Sequence, residues 1–174
     1  LTAPSVVPAA ALGKEGTVAP SERIAVGFIG LGSHGIGRNL RMFLSQPDAE
    51  PVALCDVDSR CIDAGLDCVR QNRGQTFTCP TTRDWREVIA RDDVDAVMIS
   101  TPDHWHVPLS LAALRAGKDV ICEKPTLTIA EGQALIETVR RYGAVFQLYT
   151  EDRSLPVYHR MAELVRNGRI GKLE

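Results

Sequence analysis

No stretch of this 174-residue chain is apolar for long enough to cross a bilayer, and none has the depleted hydrophobicity of a disordered segment. Positive charge is not in excess either: 20 Lys and Arg against 22 Asp and Glu leave a formal net charge of −2 at pH 7. Nucleic acid is gripped mainly through cationic side chains, so this balance excludes it as an expected partner. The five cysteines, Cys55, Cys61, Cys68, Cys79 and Cys122, include no Cys-x-x-Cys pair, and their odd number suits neither a disulfide framework nor a zinc knuckle. Cys55 and Cys122 lie inside apolar runs and read as small core residues. His104 and His106 flank Trp105, but no set of cysteines or carboxylates accompanies them, so no metal site is expected. What remains is the composition of an ordinary folded domain, 44% hydrophobic and 24% charged, with room for one sizeable core.

The stretch that organises the chain is Arg23 to Leu40. An unbroken apolar run, Ile24 to Ile29, reads as a strand buried on both faces, and it empties into Gly30-x-Gly32-x-x-Gly35. Glycine is required where a pyrophosphate must reach main-chain N–H groups at a helix N-terminus, because a Cβ would hold it off. Ser33, His34 and Ile36, between and beside these glycines, would then line the phosphates. A second apolar run, Pro51 to Cys55, ends in Asp56, about 20 residues beyond the glycines, where an acid takes the ribose hydroxyls of a dinucleotide. The other reading of Asp56 is a surface acid closing a strand. In the first reading the acid favours NAD over NADP, since a 2′-phosphate would meet a like charge there; Arg60 close by would soften that preference.

Downstream, strands and helices alternate, which predicts an α/β fold: a Rossmann doubly wound parallel sheet with helices on both faces. Helices are expected at about 34–44, 59–72, 84–89, 107–116 and 129–142, the last capped by Thr128 with Glu131 three residues on. Further strands are expected at Thr76 to Cys79, Ala96 to Ser100, Val120 to Cys122 and Val145 to Tyr149, in the order 3-2-1-4-5-6. A last amphipathic helix carries Tyr158, Met161, Leu164 and Val165. Strand ends at Gly30, Asp56, Thr101, Glu123 and Thr150 then fall on one edge of the sheet, where such folds bind ligands.

The glycine turn, Asp56-Val57-Asp58, Thr101-Pro102-Asp103-His104-Trp105-His106, Cys122-Glu123-Lys124-Pro125 and Arg166-Asn167-Gly168-Arg169-Ile170-Gly171-Lys172-Leu173 occur together and in order. In this the chain resembles the glucose-fructose oxidoreductase, inositol dehydrogenase and rhizopine-catabolism (Gfo/Idh/MocA) family, from residue 23 onward. The resemblance implies a nicotinamide-dependent oxidoreductase acting on a sugar or polyol. It assigns Lys124 to the catalytic position beside nicotinamide and substrate hydroxyl, holding or relaying the hydroxyl proton, work suited to a partly desolvated ammonium. By itself Lys124 could equally be a solvated loop lysine. Glu123 would orient Lys124, touch the nicotinamide ribose, or form a plain ion pair. Thr101, Pro102 and His106 would line the nicotinamide pocket.

The resemblance also implies a second, C-terminal α/β domain that supplies the substrate wall and is absent from this chain. The expected organisation is therefore a linker or export-signal remnant over 1–22, a dinucleotide-binding domain over 23–154, and a helix over 155–174 leading into that domain. The family commonly associates through the second domain, so a homo-oligomeric parent is expected. The Ala-rich lead, with Ala9-Ala10-Ala11 as a small-residue cleavage pattern, suits an exported protein, an ordinary N-terminus in a cytoplasmic one being the alternative. After the sixth strand many relatives carry a glycine and amide side chains, whereas this chain reads Tyr149-Thr150-Glu151-Asp152. Three functions fit: a carbohydrate dehydrogenase, a hydrolase or lyase that oxidises a sugar hydroxyl transiently through bound NAD, and a non-catalytic dinucleotide-binding module.

Overall fold

The structure, a computed structural model, describes Gly13 and residues 18–172. The small-residue pattern at Ala9-Ala10-Ala11 lies outside the described residues, as does Leu173. Six strands form one sheet: β1 (Ile24–Ile29), β2 (Ala49–Cys55), β3 (Thr81–Thr82), β4 (Ala96–Ile99), β5 (Asp119–Glu123) and β6 (Phe146–Tyr149). They run parallel in the order β3-β2-β1-β4-β5-β6, as the sequence predicts.

Strand alternation divides the core in two. Val26, Phe28, Leu54 and Met98 face the helix after the glycine turn and α2 (Ser59–Arg73), meeting Leu40, Leu44, Ile62 and Val69. Their sequence neighbours Ile29, Ala53, Val97 and Ile99 face the opposite way, toward α3 (Trp85–Ile89), α4 (His106–Arg115) and α5 (Ile129–Tyr142). Both faces of the central strands are thus covered, which is why those strands are apolar without a break. Asp58 caps α2 by accepting the Arg60 N–H, and Thr128 and Glu131 form the expected reciprocal box at the start of α5. The final helix, α6 (Pro156–Arg166), has no buried residue; Tyr158, Met161 and Val165 on its apolar stripe are exposed.

One predicted strand is displaced. Extended pairing was expected at Thr76 to Cys79 but occurs at β3, Thr81–Thr82. Pro51 and Pro80 explain the shift, because neither has an N–H to donate to a ladder. Pairing therefore begins only where the Leu54 N–H reaches the Pro80 carbonyl at 2.9 Å. Pro51 itself is tolerated in β2 because the register against β1 slips just beyond it, Val26 facing Pro51 and Gly27 facing Ala53.

Candidate cofactor site

The helix after the glycine turn starts earlier than its regular part. Residues 33–44 are helical throughout, with Gly35–Leu40 wound as a π-helix before α1 (Arg41–Leu44). Each glycine of the turn has its own reason. Gly30 has φ +94°, and a Cβ there would lie 2.6 Å from the Ser100 carbonyl carbon and 2.7 Å from the Thr101 nitrogen. Gly35 is packed so closely that a Cβ would run into the Gly30 carbonyl oxygen. Gly32 differs: no heavy atom lies within 4 Å of a Cβ built on it. The turn is therefore folded tightly by Gly30 and Gly35 and left open at Gly32, beside the first N–H groups of a helix, which lack intrahelical partners. That open face fits a pyrophosphate.

Asp56 follows β2 and locks onto this turn. Its Oδ2 accepts the Leu31 N–H at 2.6 Å and its Oδ1 accepts the Asp58 N–H at 2.9 Å. Each oxygen keeps a lone pair for a ribose hydroxyl. On the other side of β1, Glu123 at the end of β5 is 7% exposed. Its Oε1 lies 2.9 Å from His34 Nε2 and accepts the Asn39 side-chain amide at 2.9 Å. Asn39, fully buried, also donates to Ser100 Oγ at 2.8 Å. Glu123 is thereby committed to the glycine-turn helix, a partner that the sequence readings of an ion pair or a nicotinamide contact did not include.

His106 begins α4, one residue ahead of the expected start, and is 2% exposed. Its Nε2 lies 2.8 Å from the Thr101 carbonyl oxygen and its Nδ1 3.0 Å from that of Pro125. The ring ties the turn after β4 to the turn after β5, and a neutral imidazole can donate to only one of the two. Thr101 Oγ1, at the same edge, is buried without a hydrogen-bond partner among the described residues. Pro102 precedes a short turn, Asp103–Trp105, whose His104 and Trp105 side chains are exposed. Among the described residues no cluster of His, Cys, Asp or Glu could hold a metal ion.

Lys124 sits on the same edge but is exposed, so the burial expected around its ammonium is not supplied by the described residues. Two residues beyond β6, Glu151 bonds Arg38 Nε at 2.6 Å, on the π-wound helix. This bond raises the Arg38 pKa, and the acid that departs from the family pattern faces the glycine-turn helix rather than open water. Burial pushes the Cys122 thiol beneath the edge up to about 12, which removes it as a nucleophile. Asn39, Ser100 and Arg38, the partner of Glu151, are the site residues that sequence reasoning missed. The signal available for Asn39 was an amide at a helical position otherwise filled by apolar side chains.

The family model for an oxidoreductase family with an NAD-binding Rossmann fold, GFO_IDH_MocA, matches residues 24–150. The chain belongs to the Gfo/Idh/MocA family. A curated relative from Shewanella sp. (strain ANA-3), named glycosyl hydrolase family 109 protein 1, is 37% identical over 146 residues, or 80% of this chain and 31% of the relative. A glycosyl hydrolase family 109 protein from Shewanella putrefaciens is 35% identical over 143 residues, 79% of this chain and 31% of its own length. The chain thus spans 31% of the length of these curated relatives. Among solved structures, myo-inositol 2-dehydrogenase from Lactobacillus plantarum is 26% identical with a TM-score of 0.72, over 87% of this chain and 43% of that one. A 3-ketoreductase from Actinomadura kijaniata, in complex with NADP, is 26% identical with a TM-score of 0.74, over 86% of this chain and 46% of that one. As a Gfo/Idh/MocA domain, the chain is a dinucleotide-binding unit of oxidoreductase type.

Proposed function

We propose that this chain is the NAD-binding part of a longer enzyme that oxidises a hydroxyl-bearing carbon of a sugar or polyol. The observation that carries the reading is the open Gly32 face of the turn, set between Asp56 on one side and Glu123-Lys124 on the other along one sheet edge. Gly30, Gly32, Ser33, His34, Gly35 and Ile36 would hold the pyrophosphate at the helix start, and Asp56 would take the adenosine ribose hydroxyls. Thr101, Pro102, His106 and Glu123 would frame the nicotinamide end. Bound there, a nicotinamide supplies the hydride acceptor or donor.

The residues of the chain then divide the remaining work. Lys124 Nζ would hold the substrate hydroxyl proton as it leaves oxygen. Glu123 is fixed in place by His34 and Asn39, so it can position its neighbour Lys124 without moving itself. Exclusion of water around Lys124 has to come from bound ligand or from residues outside this chain. The solved inositol dehydrogenase supports a polyol or sugar as substrate. The solved ketoreductase holds NADP, so a preference for NAD in this chain would come from local residues such as Asp56 rather than from the fold.

A second reading is favoured by the names of the more similar relatives, which are glycosyl hydrolases. In it the sugar hydroxyl is oxidised only transiently, a glycosidic bond is cleaved, and no reduced cofactor accumulates. The test is to incubate the full-length protein with NAD and, in parallel, with free sugars or polyols and with aryl glycosides. Net NADH formation supports the dehydrogenase. Aryl release that requires NAD without accumulating NADH supports the hydrolase, and NAD binding with neither supports a binding module. A Lys124→Ala variant should bind NAD normally and lose whichever turnover is found.

A further inference from the structure

The end of β2 carries two acids with different duties. Asp56 is committed to the turn and to the ribose hydroxyls. Asp58, two residues on, accepts the Arg60 N–H at 2.9 Å and also captures the Arg60 side chain. The Arg60 Nε lies 3.1 Å from both Asp58 oxygens, and its Nη2 donates to Oδ2 at 2.6 Å. The Arg60 side chain is otherwise 89% exposed, standing on the first turn of α2 beside the strand end that bears Asp56. Arg83, the other guanidinium tied to this loop, donates its Nε to the Val57 carbonyl at 2.9 Å.

A 2′-phosphate on the adenosine ribose is a dianion best met by a forked guanidinium donor. We propose that Asp58 is a specificity-determining residue: by occupying Arg60 it denies NADP the cation that would offset Asp56, and so sets the preference for NAD. This rests on the reading of the glycine turn and Asp56 as a dinucleotide site. Asp58 touches no part of the cofactor and acts through Arg60. Its bonds from the Arg60 side chain and N–H hold its carboxyl at about 2, below the usual carboxylate range, so it stays charged at any pH where the protein would be assayed.

The test is calorimetric titration of NAD and NADP into the unmodified chain, Asp58→Asn, and Asp58→Asn combined with Arg60→Ala. Asparagine caps a helix about as well as aspartate, so α2 keeps its start while Arg60 is released. A guanidinium released from its carboxylate is free to fork onto a phosphate, a contact worth roughly tenfold in affinity. Asp58→Asn should therefore raise NADP affinity relative to NAD by about tenfold, and Arg60→Ala should cancel the gain. If Asp58→Asn does not fold by circular dichroism, Asp58→Ser, also a capping residue, takes its place. An unchanged cofactor ratio with NAD binding intact overturns the proposal. So does a gain that survives Arg60→Ala, which would transfer the role to Arg83 or to simple charge removal. If the folded unmodified chain binds neither dinucleotide, the cofactor reading itself fails, and this inference falls with it.

Discussion

Asn39 joins two strand ends to one helix: its buried amide donates to Ser100 Oγ at 2.8 Å and to Glu123 Oε1 at 2.9 Å. Removing it leaves the Glu123 carboxylate buried with one donor fewer. Asn39→Ala should cost about 1–3 kcal/mol of stability, the usual penalty for stranding a buried polar group. Urea unfolding read by circular dichroism would measure it, and a loss within error would mean that water replaces the amide.

The glycines of the turn should separate folding from binding. Gly35→Ala forces a methyl against the Gly30 carbonyl and should destabilise the chain by about 1–3 kcal/mol, as overpacking does. Gly32→Ala meets nothing within 4 Å, so its thermal midpoint should stay put while NAD affinity falls at least about tenfold, the methyl standing where phosphate must approach. Melting curves and calorimetry on both variants would check the contrast.

Thiol reactivity should follow burial. Cys55, Cys79 and Cys122 are pushed up to about 12 by burial, and Cys68 is raised for the same reason. Cys61 is the only one of the five that is not buried. A thiol reagent near pH 8 should label Cys61 first in the native chain and all five after denaturation, as mass spectrometry would show.

Acid should loosen the molecule through a few surface carboxylates. Asp58 is held near 2 by the Arg60 side chain, Asp84 is lowered first by the Arg86 N–H, and Asp93 is lowered first by the Arg91 side chain. Each is more acidic folded than unfolded, so its contribution is whole above the unfolded value of about 3.9 and disappears as pH falls through the folded value. Thermal midpoints should thus be level with respect to these groups above about pH 5 and decline between about pH 4 and 2. Asp58→Asn should remove its share of that slope.

Much of the architecture is readable from residue order because local and global preferences agree. The apolar run Ile24–Ile29, the Gly30 turn and the Thr128–Glu131 box each admit one local structure, and the sheet order follows from strands alternating with helices. β3 was misplaced because two prolines in different segments, Pro51 and Pro80, jointly decide where pairing starts, a constraint visible only once those segments are neighbours. The Glu123 site was half legible. Glu123 and His34 stand out in the sequence, but Asn39 and Arg38 acquire partners through the π-wound turn of their helix, which no periodicity announces. Lys124 follows the end of β5, where the residue order places it, while its exposure depends on what stands opposite it.

The sheet order also sets a schedule for assembly. β1 is the first of the described strands, yet it lies in the middle of the sheet, and one of its two neighbours, β4, is reached far along the chain: the Ala25 N–H is bonded to an Asp95 oxygen seventy residues away. A nascent chain can pair β1 with β2 early, but the other edge of β1 stays bare, and apolar, until residues 96–99 have been made. Such an open edge is where strands of neighbouring chains add on. A strand paired along both edges in the finished molecule is therefore an open liability during synthesis, and conditions that slow translation between β2 and β4 should raise the aggregated fraction.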